Sequence, residues 1–349
     1  MFLDRFKDFK NYKTETTPCK VKLSSNENPY DLPQWLKEKV SQEVKKIPLN
    51  RYPDPTYREL KEIVATFYGV KPENIVLGNG SDELIHLLIT VIGEINQPVM
   101  YPVPTFPMYQ VSADIIGRPK TEFPLDENFQ LSKKSIDRAL KEKPAIAFFA
   151  SPNNPTGNSF DRDLILYTAE NNVFTVVDEA YIHFSDKKDF VGEALERENL
   201  VVIRTMSKIG LAGIRLGALI AREDIATVID RIRPPFNITY PTEVIAKTVL
   251  TEGKEEINRQ IQTIVSERKR VMEEVSKAGN IKVYPSDANF FLIKVPDGNL
   301  VHRMLIQEGV LVRNMSHLKG LENCLRVSIG KPEENNQFIK AIKKVVGSI

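Results

Sequence analysis

Hydrophobic positions change their spacing twice along the chain. Residues 1–30 hold no sustained period; the stretch is polar, rich in Lys and Thr, ends in SSNENPY, and reads as an arm. LPQWLKEKVSQEVKKI then sets Leu36, Val40, Val44 and Ile47 on one helical stripe. The prolines and Asp of LNRYPDPTY mark an irregular loop, and RELKEIVATFYGV reads as a second helix stopped by Gly69. From about residue 74 to 220, short apolar runs replace the stripes. NIVLGNG, QPVMYPVP, AIAFFASPNNP, VFTVVDEAY and LVVIRTMSK each read as a buried strand with a polar or turn-forming tail. Helical stretches such as SDELIHLLITVI and DRDLILYTAENN separate them.

Past about residue 240 the spacing changes again. Two charged amphipathic helices, PTEVIAKTVL and NRQIQTIVSERKRVMEEVSKAG, precede the strand candidates IKVYPS, NFFLIKV, VLVRNM and CLRVSIG. The helix NNQFIKAIKKVVGSI closes the chain. Apolar strands alternating with helices imply a mostly parallel sheet covered on both faces. The expected class is therefore α/β. A large domain over 31–240 carries the mostly parallel sheet flanked by helices, and a smaller α+β domain spans 241–349.

Composition narrows the function classes. With 42% hydrophobic and 27% charged residues, the chain has the makings of a globular protein with a sizeable core. A net charge of +2, with Lys and Arg scattered, calls for neither nucleic acid nor an anionic membrane. Cys19 and Cys324 stand alone, and His86, His183, His302 and His317 lack ligand spacing, so no metal site is expected. The N-terminus has no apolar stretch of signal-peptide length, and no segment reaches the ~20 apolar residues of a membrane span. A cytoplasmic enzyme is the expectation.

Four polar clusters follow strand candidates, and ligands of open parallel sheets bind beyond the carboxyl ends of the strands. Gly78-Asn79-Gly80-Ser81-Asp82-Glu83 joins a strand to a helix whose N-terminus suits a phosphate; alternatively, Ser81 or Asp82 is an ordinary cap. Glu83 stands where a dinucleotide fingerprint needs Gly, which argues against a nicotinamide dehydrogenase. Ser151-Pro152-Asn153-Asn154-Pro155-Thr156-Gly157 is rigid enough to hold Asn153 at a strand end. Asp178, in Asp178-Glu179-Ala180-Tyr181, puts a carboxylate on a buried strand tip, where it needs a cationic partner unless it serves as a cap or surface ion pair. Thr205-Met206-Ser207-Lys208 places an amine in a Gly-rich turn suited to imine formation, with Thr205, Ser207 and Arg215 able to meet a dianionic phosphate.

In this order the clusters SPNNPTG, DEAY and SK-x(4)-G-x-R resemble the fold-type I pyridoxal-5′-phosphate enzymes, and within them the class I and II aminotransferases. The resemblance runs over most of the chain. It implies Lys208 as the Schiff-base lysine and Asp178 as partner of the pyridine nitrogen. It further implies Asn153 and Tyr181 on the ring hydroxyl, Phe106 stacked on the ring, and Gly80, Ser81, Asp82, Ser207 and Arg215 around the phosphate. Tyr52, in RYPDP, would reach the neighbouring subunit's cofactor, which makes a homodimer with shared active sites the expected assembly. LSSNENPY, RYPDP, GNGSDE and LRVSIGKPEEN are similar, more narrowly, to the histidinol-phosphate aminotransferases of that family. An amino donor and a 2-oxo acid are then the expected small-molecule partners, their anions met by Arg313 and Arg326, with Asn28 and Tyr30 nearby. A structural salt bridge is the other reading of either arginine. A threonine-phosphate decarboxylase or an aromatic amino-acid aminotransferase of the same fold is the alternative activity.

Overall fold

Strands of the described residues fall into two sheets. The structure, a computed structural model, describes residues 17–348 together with Leu3, Phe6, Lys7 and Phe9. The rest of the expected arm up to residue 16, and Ile349, lie outside the described residues. In chain order the strands are Val21–Leu23 (β1), Ile75–Asn79 (β2), Val99–Val103 (β3), Lys120–Pro124 (β4), Ile146–Ala150 (β5) and Phe174–Asp178 (β6). They continue with Leu200–Thr205 (β7), Leu216–Ile220 (β8), Lys282–Val283 (β9), Phe290–Lys294 (β10), Val310–Asn314 (β11) and Cys324–Ser328 (β12).

The larger sheet has the order β2-β8-β7-β6-β5-β3-β4. All its pairings are parallel except the two made by β8, which runs antiparallel to β2 and β7. Its central strands are apolar on both sides because both sides are covered. On β5, Ile146, Phe148 and Ala150 join one core with the helix Gly80–Val91, whereas Ala147 and Phe149 join the other. The expected strands at β2, β3, β5, β6 and β7 are all present. Two strands were not anticipated. β4 buries only Phe123, as an edge strand with polar alternation would, and β8 follows a Gly-rich turn so closely that its apolar run LGALI reads as part of that turn.

The smaller sheet has the order β1-β11-β12-β10-β9. β1 pairs parallel with β11, with Val21 opposite Val310, so residues 21–23 are a strand with Val21 and Leu23 buried. Three residues are too few to declare a period, which is why this piece of the expected arm reads as unstructured. β11 and β12 are antiparallel and set Arg313 directly opposite Arg326. The helices Tyr240–Glu252 and Lys254–Ser276 connect the sheets, the second burying Ile257, Ile261, Ile264, Val271 and Val275. No helix among the described residues is long and apolar enough to cross a membrane.

Phe148 is fully buried on β5 and stacks on Tyr109 with ring centroids 4.8 Å apart. Phe148→Ala is expected to lower the free energy of unfolding by about 3–5 kcal/mol, read from denaturant unfolding of the cofactor-free protein.

Candidate active site

β2, β5, β6 and β7 run parallel, so their carboxyl ends open on one edge of the larger sheet. A pocket lies there, partly open to solvent. Ser81, Asp82, Phe106, Asp178, Tyr181, Thr205, Ser207, Lys208 and Arg215 line it, together with Ala150, Asn154 and Ala180. Nine of the residues singled out from sequence thus meet at one place.

At one end the pocket gathers hydrogen-bond donors. Lys208 sits on the turn Met206–Ile209 directly after β7, where Thr205 Oγ1 accepts from Ser207 N–H at 3.2 Å. Thr205 Oγ1 also donates to Ser207 Oγ (2.9 Å), which accepts from Arg215 Nη1 (3.3 Å). Arg215 Nη2 reaches Asp82 Oδ2 at 3.0 Å across the first turn of the helix Gly80–Val91. Gly80 lies behind this array and does not line the pocket. Its N–H donates to Arg215 C=O at 2.8 Å, and a Cβ there would come within 2.5 Å of Arg215 Nη2. The φ of +74° favours glycine there, and a Cβ would push the Arg215 guanidinium from its place. The Asp82 carboxylate is an acceptor, so only its main-chain amide suits a phosphate.

At the other end lies a desolvated carboxylate. Asp178 is 3% exposed; its Oδ2 accepts from Tyr109 Oη at 2.8 Å and its Oδ1 from Ala180 N–H at 3.1 Å. Burial raises its pKa to about 6, although these two donors and Lys208 pull the other way. Burial, reinforced by Asp178, pushes the Tyr109 phenol well above its ordinary value, so it stays a donor. The neighbouring carboxylate, Glu179, faces away and is held by Arg204 Nε and Nη2 at 2.9 and 2.6 Å. Between the two ends, Lys208 Nζ lies 5.6 Å from the centre of the Tyr181 ring.

Seven expected residues are not on the pocket wall: Gly80, Arg313, Arg326 and four more, Asn153, Asn28, Tyr30 and Tyr52. Asn153 is fully buried beneath the pocket, where Nδ2 donates to Pro104 C=O and Thr156 Oγ1 and Oδ1 accepts from Thr105. Its neighbour Asn154 is the one on the pocket wall, with Oδ1 accepting from Arg326 Nη1 at 2.6 Å. Asn28 Nδ2 donates to Gln260, and its Oδ1 accepts from Tyr30 N–H. Tyr30 packs on the core with Lys331 over its ring, so neither residue is on the pocket wall. Tyr52 is 77% exposed, away from this pocket, and stacks on Phe236 at 4.3 Å.

Arg326 also donates from Nη2 to Ser24 C=O at 2.6 Å, and Arg313 faces it across the strand pair. Three site residues escaped the sequence reading: Asn154, Tyr109 and Asn26, whose Nδ2 donates to Tyr181 Oη at 3.1 Å. Tyr109 follows Phe106 by three residues in the VPTFPMY motif. Phe106 precedes the helix Met108–Ile116, so no helical period links the two, although their rings meet edge to face at 5.7 Å.

A lysine, a buried carboxylate and a helix N-terminus thus gather around one pocket. The family model of the class I and II aminotransferases matches residues 18–342, and the chain belongs to that family. It is a transaminase that works with pyridoxal 5′-phosphate. A histidinol-phosphate aminotransferase of Aquifex aeolicus is 50% identical over 100% of this chain and 99% of its own length. One from Hydrogenobaculum is 47% identical over the same shares. The crystal structure of the Sinorhizobium meliloti histidinol-phosphate aminotransferase with pyridoxal-5′-phosphate superposes with a TM-score of 0.88, at 20% identity, covering 99% of this chain and 98% of that one. The Clostridium acetobutylicum enzyme gives 0.85 at 29% identity, covering 94% and 100%.

The Asp178 shift carries a pH signature. Its folded pKa, about 6, exceeds the unfolded value of 3.8, so the folded cofactor-free protein binds more protons between these values and loses stability as pH rises. The loss from this group is about 2 kcal/mol between pH 4 and 7. Asp178→Asn is expected to remove that slope in denaturant unfolding series across pH.

Proposed function

We propose that the chain is a histidinol-phosphate aminotransferase, moving an amino group between L-histidinol phosphate and 2-oxoglutarate in the cytoplasmic synthesis of histidine. The observation that carries this reading is the 50% identity, along the whole of both chains, with the Aquifex enzyme of that name. The facing arginines support it. Like charges directly opposite on neighbouring strands repel unless an anion or another partner offsets them. Arg313 and Arg326 are therefore suited to a phosphate monoester in one half-reaction and a second carboxylate in the other.

The donor set fits the cofactor. Ser207, Thr205, Arg215 and the main-chain amides of Ser81 and Asp82 hold the phosphate, and Gly80 leaves Arg215 its room. Asp178 keeps a proton on the pyridine nitrogen, in an environment whose burial makes the carboxylate seek a cation. Tyr181 and Asn154 hold the ring oxygen, and Phe106 covers a ring face. Bound there, pyridoxal phosphate supplies an electron sink for the pair left when a substrate Cα–H bond breaks. Lys208 would anchor the cofactor and would move a proton at the substrate Cα.

The exposed Tyr52–Phe236 stack supports a homodimer in which Tyr52 reaches the other subunit's phosphate. Sedimentation is expected to give a dimer, and Tyr52→Ala to weaken cofactor binding about tenfold.

Mixing the loaded protein with L-histidinol phosphate and 2-oxoglutarate should yield glutamate. Release of CO2 from threonine phosphate, without glutamate, would overturn the reading in favour of a decarboxylase. Lys208→Ala is expected to abolish both the near-visible absorption band and turnover. Arg326→Ala should lower kcat/KM for either substrate by about 10²-fold or more, because a buried charged contact is lost along with Asn154's partner.

A further inference from the structure

Asn26 sits where three parts of the molecule meet. It is 1% exposed and adopts φ +54°, a left-handed conformation that asparagine accepts better than most residues. Its N–H donates to Ser328 Oγ at 2.8 Å, and that hydroxyl donates back to Asn26 Oδ1 at 3.0 Å. Its carbonyl accepts from Asn289 Nδ2 at 3.0 Å. With the backbone and Oδ1 engaged by the smaller sheet, the remaining Nδ2 faces the larger one and donates to Tyr181 Oη at 3.1 Å.

We infer that Asn26 is a positioning residue: it makes the Tyr181 hydroxyl a proton donor into the pocket and ties it to the strand carrying Arg326. A phenol has one proton, and its oxygen can accept. Because Nδ2 occupies an oxygen lone pair, the proton is left unspent and turns to the open side, which is the pocket that Tyr181 lines. The tie to β12 is double. Arg326 donates to Ser24 C=O and Ser328 holds Asn26, so residues 24–26 are laced to two same-face positions of β12. An anion drawing on Arg326 therefore loads the same short segment that aims Tyr181.

The inference rests on Tyr181 touching the cofactor ring, and the test separates the two ideas. Its readout is the alkaline titration of visible absorption in the cofactor-loaded protein. That titration follows a proton shared between the ring oxygen and the nitrogen of Lys208. A donor at the ring oxygen withdraws charge and loosens this proton, so removing the donor moves the midpoint up. Tyr181→Phe is expected to raise it by about one unit. Asn26→Gly keeps the positive φ and both main-chain bonds, and should raise it by about half a unit. Asn26→Asp keeps the bond to Ser328 but offers Tyr181 an acceptor, and should give the full Tyr181→Phe shift. Added to Tyr181→Phe, Asn26→Gly should change nothing further.

Parental titration of both folded Asn26 variants, or a shift that persists in the Tyr181→Phe background, overturns the inference while leaving Tyr181's ring contact standing. Parental titration of Tyr181→Phe overturns the ring contact itself, and the inference with it. Thermal melting of the unloaded proteins checks folding; if Asn26→Gly does not fold, Asn26→Asp decides.

Discussion

Asp178 is held out of water at the tip of β6, where burial alone would drive its proton back on. Two donors, the Tyr109 hydroxyl and the Ala180 amide, offset part of that cost and leave the carboxylate short of a full charge partner. The surrounding structure follows from keeping it so. Phe148 and Phe106 pack around Tyr109, and the adjacent carboxylate of Glu179 is turned away and neutralised by Arg204. A cation is the partner that such a group lacks.

The two sheets divide the remaining work. The larger one presents strand ends, and with them the lysine, the carboxylate and the donor cluster of Thr205, Ser207 and Arg215. The smaller one presents facing arginines on β11 and β12. Asn154 belongs to the first and Arg326 to the second, and their 2.6 Å hydrogen bond closes the gap between them. Residues 24–26 close it a second time. The pocket wall and the facing arginines are thus already in mutual contact.

Much of this was legible in the chain because apolar runs of five or six residues announce buried strands, and polar clusters at their ends announce a sheet-edge site. What escaped did so for specific reasons. β4 has one buried residue, and β8 hides behind the turn that carries Lys208. Of two consecutive asparagines, sequence pattern does not say which faces the pocket; Asn154 lines it and Asn153 is buried. Tyr109 looks like any core aromatic until its hydroxyl is seen to meet Asp178. Asn26 depends on partners 155 and 302 positions away, a separation no local pattern encodes.

The reversed direction of β8 has a consequence for how the protein assembles. A parallel successor to β7 would need a crossover of a dozen or more residues to return to the far edge. Because β8 starts at the edge where β7 stops, the stretch Met206–Arg215 stays short and local, delivering an amine and a guanidinium to the same rim. Closing so small a loop costs little chain entropy, and contacts of low sequence separation form early. Lys208 and Arg215 are therefore born in one hairpin.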